Sequence, residues 1–184
     1  QTMRSLINDV LTLSKLDESA FENDGATAIN LYAVAQRVAG RLSSFADDQG
    51  VRVRVEGASA CIAGSETLAE EMLYNLIENG IRYNHEGGLV TMKVGSECVE
   101  GGLANAAYQT VVRVSDTGPG IPAELHDKVF ERFFRVDKSR SKETGGTGLG
   151  LAIVKHAVMY HGGVIEVESA EGQGTTFVLR FPSA

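Results

Sequence analysis

Apolar residues Met3, Leu6, Ile7, Val10, Leu13 and Leu16 recur three and four positions apart, which predicts an amphipathic helix over 1–16 with a bundle-like seam. A helix that short is marginal alone and wants a partner helix. Periodicity is lost from Asp17 to Ala28, which reads as a linker. Beyond Ile29 the pattern becomes mixed. Leu31–Phe45 is helical, with Val34, Val38, Leu42 and Phe45 on one face. Val51, Val53 and Val55 alternate with Arg52, Arg54 and Glu56, the signature of a half-exposed strand. A short strand near Cys61–Ala63 precedes a helix that Ser65 or Thr67 starts and that runs to about Tyr83, with Thr67 and Glu70 spaced for a capping box.

Leu89–Cys98 and Tyr108–Ser115 form two antiparallel strands around a Gly101-Gly102 turn. After Asp116 the chain is loop-like for about thirty residues, broken by one short helix near Glu124–Phe133; loops of that length are usually functional. A helix from Gly148 to about His161 stops at Gly162-Gly163, and Val164–Glu168 with Thr175–Phe181 closes a hairpin. Strands and helices mix without strict β-α-β alternation. The class is therefore α+β, with a mostly antiparallel sheet covered by helices on one face.

Composition narrows the function classes. The 184 residues suit one domain with an appended element, and 43% hydrophobic with 22% charged residues allows a real core. A formal charge of -7 with no basic run argues against nucleic acid or an anionic membrane as the main partner. An anionic nucleotide would have to be held locally, by backbone amides, a metal ion and a few placed cations. Cys61 and Cys98 have no ligand-spaced neighbours and read as reduced thiols, although a disulfide between them stays open. No segment approaches the roughly 20 apolar residues that span a bilayer, and no signal-peptide pattern is seen.

Three segments carry the chemistry. In Asn75-Leu-Ile-Glu-Asn-Gly-Ile-Arg-Tyr83, helical spacing makes neighbours of Asn75, Asn79, Arg82 and Tyr83 beside the apolar Met72, Leu73 and Leu76. An amide oxygen can ligate Mg²⁺ and Arg82 can neutralise phosphate, although a solvated helix face has the same pattern. Asp116-Thr-Gly-Pro-Gly-Ile-Pro122 follows a strand, where Gly118 and Gly120 permit close approach and Asp116 can accept a hydrogen bond from an exocyclic amine. Gly145-Gly-Thr-Gly-Leu-Gly150 opens a helix whose free amides suit phosphate. It is neither a P-loop nor a dinucleotide fingerprint, since no Gly-Lys-Ser/Thr follows and no strand precedes.

In this order the segments resemble the GHKL ATPase family, most closely the catalytic domain of bacterial sensor histidine kinases. Asn75–Asn84 is similar to its N box, Asp116–Pro122 to its G1 box, Phe130-Glu-Arg-Phe-Phe-Arg135 to its F box and Gly146–Gly150 to its G2 box. The resemblance spans about Ile29 to Pro182. It implies a two-layer Bergerat sandwich over 25–184, ATP as ligand, Asn79 as Mg²⁺ ligand supported by Asn75, and Asp116 as adenine reader. Arg82 and Tyr83 would contact phosphate, and with ATP bound Arg135 or Arg140 could reach it, with Gly118, Gly120, Ile121, Gly146, Thr147, Gly148, Leu149 and Gly150 forming the rest of the pocket. Gyrase-like relatives carry a Glu at the position of Asn75 that activates water. An amide cannot act as a base at neutral pH, so transfer to another nucleophile is implied. Glu78 is read as facing another side of its helix. Residues 1–24 are similar to the end of the second helix of a dimerisation and phosphoacceptor hairpin, plus a linker.

The implied protein is the cytoplasmic catalytic domain of a longer, membrane-anchored histidine kinase. Its partners would be its own hairpin, a second copy in a homodimer and a response-regulator receiver domain. A non-catalytic nucleotide-binding module and a GHKL ATP hydrolase are the alternatives. None of His85, His126, His156 and His161 sits in an acceptor motif, and all four read as structural or solvated, with His161 at a helix end. Phe130, Phe133 and Phe134 read as anchors of a basic lid carrying Arg135, Lys138, Arg140 and Lys142. Gly80 stands where the family usually has Ala and should cost about 1 kcal/mol of helix stability.

Overall fold

The computed structural model describes residues 27–99, 107–136 and 147–184. The predicted helix over 1–16, the division at residue 24, the Gly101-Gly102 turn, and Lys138, Arg140, Lys142 and Gly146 all lie outside these residues. In chain order the elements are β1 (Thr27–Asn30), α1 (Leu31–Arg41), α2 (Ser43–Asp48), β2 (Arg52–Gly57), β3 (Cys61–Gly64), α3 (Glu66–Arg82), β4 (Leu89–Val99), β5 (Ala107–Asp116), α4 (Gly150–Tyr160), β6 (Val164–Ser169) and β7 (Thr175–Pro182). Strands order as β2-β4-β5-β7-β6 in one five-stranded sheet, while β1 and β3 pair separately. Only β2–β4 is parallel; the other pairs of that sheet are antiparallel, as the hairpin-like sequence pattern predicts.

Alternation along the strands sorts the sheet into two faces. Val90, Met92, Val94, Val112, Val114, Phe177, Leu179 and Phe181 are buried against α1, α3 and α4. The opposite face carries ion pairs, Arg113–Glu97 at 3.5 Å and Arg180–Glu166 at 2.6 Å, and the Thr176–Ser115 hydroxyl bond at 2.9 Å. This is the two-layer α+β arrangement expected. Among the described residues no helix is long and apolar enough to cross a membrane.

Several boundaries differ from the sequence pattern, each for a local reason. The helix expected over 31–45 breaks at Leu42, where the Ser43 hydroxyl takes the Gly40 carbonyl at 2.9 Å. Its start is fixed by the Asn30 side chain, which accepts the N–H groups of Tyr32 and Ala33. At α3 the cap is Ser65, accepting the Leu68 N–H at 3.4 Å. Thr67 lies inside the helix, so no Thr67–Glu70 capping box forms. The short helix expected near 124–133 is two 3₁₀ turns, Ala123–Leu125 and Lys128–Phe130. The last helix starts at Gly150, because Gly148 has φ +73, a left-handed conformation that cannot open a right-handed helix.

His161 ends α4, as its place before Gly162-Gly163 suggested, and it also ties two helices together. It is 5% exposed, with Nδ1 2.6 Å from the Ala157 carbonyl. When Nδ1 donates there, Nε2 accepts the Ser65 N–H at 3.2 Å, which pins the start of α3 to the end of α4.

Candidate functional site

One side of α3 is apolar and buried through Met72, Leu73, Leu76, Ile77, Gly80 and Ile81. The adjoining arc presents Tyr74, Asn75, Glu78, Asn79, Arg82 and Tyr83 to a cavity of about 1150 Å³. The end of β5 supplies Asp116 to the same cavity, and the loop after it supplies Pro119, Gly120, Ile121 and Pro122. A third wall consists of Phe134, Arg135, Thr147, Gly148 and Gly150, so three stretches distant in sequence meet around one space. Of the residues proposed from sequence, Gly118 and Leu149 do not line it. Gly118 is buried beneath, donating its N–H to Asp116 Oδ1 at 2.8 Å, and Leu149 is fully buried with Ile153. Arg140 and Gly146 fall outside the described residues.

Asp116 contributes a partly buried carboxyl to the cavity wall. Burial pushes its carboxyl pKa upward, opposed by hydrogen bonds from the backbone N–H groups of Gly118 and Thr175. The carboxyl is thus fixed in direction by two donors and is still an acceptor for a third. Tyr74 is also shifted upward, first by burial and then by the charge of Glu78, against Arg41 and Arg82.

The amides on α3 are oriented as well. Asn75 Nδ2 donates to the Glu71 carbonyl at 2.9 Å, which turns Oδ1 towards the glycine-rich loop. A Cβ on Gly150 would lie 2.7 Å from that Oδ1 and 3.7 Å from Asn79 Nδ2. The absence of a side chain there lets the backbone at the start of α4 close against both amides. Leu149, at the start of α4, makes no side-chain cap bond, so the helix start can offer N–H groups to an outside acceptor. The Thr147 hydroxyl accepts the Leu149 N–H at 3.2 Å and shapes the approach. Among the described residues no group of three His, Cys, Asp or Glu could hold a metal ion. One amide oxygen nevertheless suits Mg²⁺ when phosphate and water complete its shell.

Two side chains depart from the sequence reading. Glu78 lines the same cavity as Asn75 and Asn79 instead of facing elsewhere, with Oε1 2.8 Å from Arg82 Nη2. Phe133 is not an anchor: it is 63% exposed at φ +64, held by its N–H bond to the Gly148 carbonyl at 2.9 Å. Phe130 does anchor, meeting the Phe177 ring edge-on at 6.2 Å. The third ring, Phe134, stands in the cavity wall.

Sequence reasoning also missed the support for the Asp116 loop. The Ser169 hydroxyl accepts the Ile121 N–H and donates to the Gly174 carbonyl, while the Gly172 N–H reaches the Pro119 carbonyl at 2.6 Å. A Cβ on Gly120, at φ +75, would strike the Ala170 carbonyl oxygen at 2.0 Å. The pair Gly172 and Gly174, between the two strands of the closing hairpin, was the available signal. Arg41 and Glu71, which also line the cavity, gave no signal.

A family model described as histidine kinase-, DNA gyrase B-, and HSP90-like ATPase matches residues 64–184. The chain is 38% identical over 183 residues to the sensor protein IrlS of Burkholderia pseudomallei, covering 100% of this chain and 37% of that protein. It is 34% identical over 183 residues to the sensor histidine kinase WalK of Bacillus subtilis, covering 99% of this chain and 29% of that protein. The chain therefore spans well under half the length of these relatives. Full-length ShkA, solved in complex with AMPPNP, superposes with a TM-score of 0.78 at 29% identity, over 98% of this chain and 35% of that one. The mycobacterial sensor histidine kinase MprB gives 0.70 at 26% identity, over 86% and 97%.

Proposed function

The chain belongs to the histidine kinase-, DNA gyrase B-, and HSP90-like ATPase family as the catalytic ATP-binding domain of a sensor histidine kinase, and on that premise we propose how its cavity works. Asp116 accepts a hydrogen bond from the adenine exocyclic amine. Asn79 would hold Mg²⁺, with Asn75 supporting the metal-phosphate cluster. Arg82 and Tyr83 contact phosphate, Arg135 or Arg140 adds a cation there, and the two glycine-rich segments contact the rest of the nucleotide. The metal, when bound, neutralises phosphate charge; the protein's own residues position the nucleotide, which is most of what phosphoryl transfer requires.

The γ-phosphoryl group then passes to a histidine on a dimerisation hairpin, and from there to an aspartate of a response-regulator receiver domain. Residues 1–24 are the end of that hairpin and its linker, and the whole protein is a membrane-anchored homodimer with this domain in the cytoplasm. The observation that carries the reading is that Asp116, held by two backbone donors, shares one cavity with the amides of Asn75 and Asn79. AMPPNP, an ATP analogue, in the ShkA structure supports the same ligand class. Glu78 gives the hydrolase reading one observation, since it is a carboxylate in the cavity, but that carboxylate is engaged by Arg82 at 2.8 Å.

Calorimetric titration of ATP and GTP, with and without Mg²⁺, tests the reading. ATP should bind, GTP should not, and Asp116→Asn should weaken ATP at least tenfold, about 1.4 kcal/mol. Absence of ATP binding by the folded chain would overturn it. Incubated alone with ATP, the chain should acquire no acid-labile phosphate, because none of its four histidines lies in an acceptor motif.

A further inference from the structure

Arg82 and Glu78 lie one turn apart on α3, and both line the cavity. Arg82 Nη2 is 2.8 Å from Glu78 Oε1, the two side chains are 23% and 25% exposed, and the guanidinium sits 5.5 Å from the Phe45 ring centroid. The cation read as the α3 contact for phosphate is therefore already paired with a carboxylate and stacked on an aromatic face. An arriving phosphate tail meets a nearly neutral pair, not an isolated positive charge. To engage phosphate, Arg82 must leave Glu78 with a partly buried carboxylate, or keep it and bring that carboxylate next to the phosphate. Both routes oppose binding of the charged tail.

We propose that Glu78 is an affinity-setting residue that competes with the nucleotide phosphates for Arg82; this rests on the ATP-site reading above. The competition is confined to the phosphate end of the cavity. Asp116, at the opposite end of the ligand, takes its hydrogen bonds from the backbone of Gly118 and Thr175. Glu78 thus holds the site to weaker binding of phosphorylated nucleotide and speeds release of the diphosphate product. It acts through Arg82 and is a positioning residue, not a catalytic one.

Titrations of ATP, ADP and adenosine into the chain with Mg²⁺ test this for wild type, Glu78→Gln, Glu78→Asp, Arg82→Gln and the Glu78→Gln/Arg82→Gln double variant. Removing one partly screened charge should tighten ATP and ADP about threefold to tenfold in Glu78→Gln, while adenosine stays within about twofold. Glu78→Asp, which keeps the charge, should return to wild-type behaviour, and the gain should vanish in the Arg82→Gln background. If Glu78→Gln leaves ATP affinity unchanged or lower, or tightens adenosine equally, the proposal is wrong and the site reading stands. If wild type binds neither ATP nor adenosine, the site reading itself has failed.

Discussion

Replacing Gly80 by Ala should stabilise the domain by about 1 kcal/mol, and the size follows from three opposing contributions. In the interior of α3, Gly is about 1 kcal/mol worse than Ala because its backbone loses more freedom on folding. The position is buried, so the added methyl removes apolar surface from water for about 0.8 kcal/mol more. Against this, the new Cβ would lie 3.1 and 3.2 Å from the two methyls of Val90, inside the optimum of about 3.5–4.0 Å. Val90 belongs to β4, paired to β2 on one side and β5 on the other, and its β-branched side chain has little rotamer freedom. Yielding by a few tenths of an ångström should cost about 1 kcal/mol, the low end of overpacking penalties. The net gain corresponds to a rise in Tm of about 2–4 °C for a chain of this size. Urea denaturation with the m value unchanged would measure it. ATP affinity should not move, because the Cβ reaches the Asp116 Cβ only at 3.6 Å, an ordinary contact. A Val90→Ala background should enlarge the gain by removing the obstruction. A loss of 1 kcal/mol or more that is the same in both backgrounds would refute the reasoning.

Other substitutions separate strain, packing and charge. Gly148→Ala forces a left-handed Ala at φ +73 and sets its Cβ 3.0 Å from the Phe133 backbone, so it should cost about 1–2 kcal/mol locally and weaken ATP at least tenfold by titration. Phe130→Ala should lose about 2 kcal/mol in urea unfolding by removing an edge contact to Phe177, whereas the exposed Phe133→Ala should stay within about 0.5 kcal/mol; the reverse order would refute the packing assignment. Burial raises the Asp116 pKa, so protonation favours the folded state: that contribution is full below the unfolded value of about 3.9 and is lost as pH rises through the folded pKa. ATP affinity has the opposite sign, since only the ionised carboxylate is a pure acceptor. On acidification it should fall at a higher pH than an ordinary Asp would set, and titrations against Asp116→Asn should isolate that step from the ligand's own protonation.

Local signals account for what the sequence made legible. Alternating valines in β2, the apolar stripe of α3 and the glycine stops after α4 each depend on residues within one element, and each element formed. The Asn75–Asn79 spacing and the Asp116 segment were legible for the same reason, because one turn of helix or one strand end sets their geometry. Features set by distant chain were not. Ser169 bonds Ile121 across 48 positions, and His161 meets Ser65 across 96, so no window of sequence contains either pair. Phe133 reads as a core aromatic by type, but it is turned outward by the bond from its N–H to the Gly148 carbonyl. The break at Leu42 lay between these cases: Gly40 and Ser43 were both visible, but the apolar stripe outweighed them.

Glu78 is the instructive miss, because helix arithmetic alone places it correctly. At about 100° per residue, taking Asn75 as zero, Asn79 falls at roughly +40°, Arg82 at −20° and Glu71 at −40°. Glu78 falls at roughly −60° and Tyr83 at +80° on the same count. Glu78 stands one residue before Asn79, a large rotation, yet Asn75 and Arg82 lie between the two on the wheel. All six of these residues line one cavity together with Tyr74, at roughly −100°, so its wall covers an arc of at least about 180° by that count and not a two-residue stripe. A wall that broad necessarily takes in whatever stands three residues after Asn75. In this chain that residue is acidic and one turn before Arg82, the proposed phosphate contact, so the motif that supplies the cation would also supply its competitor.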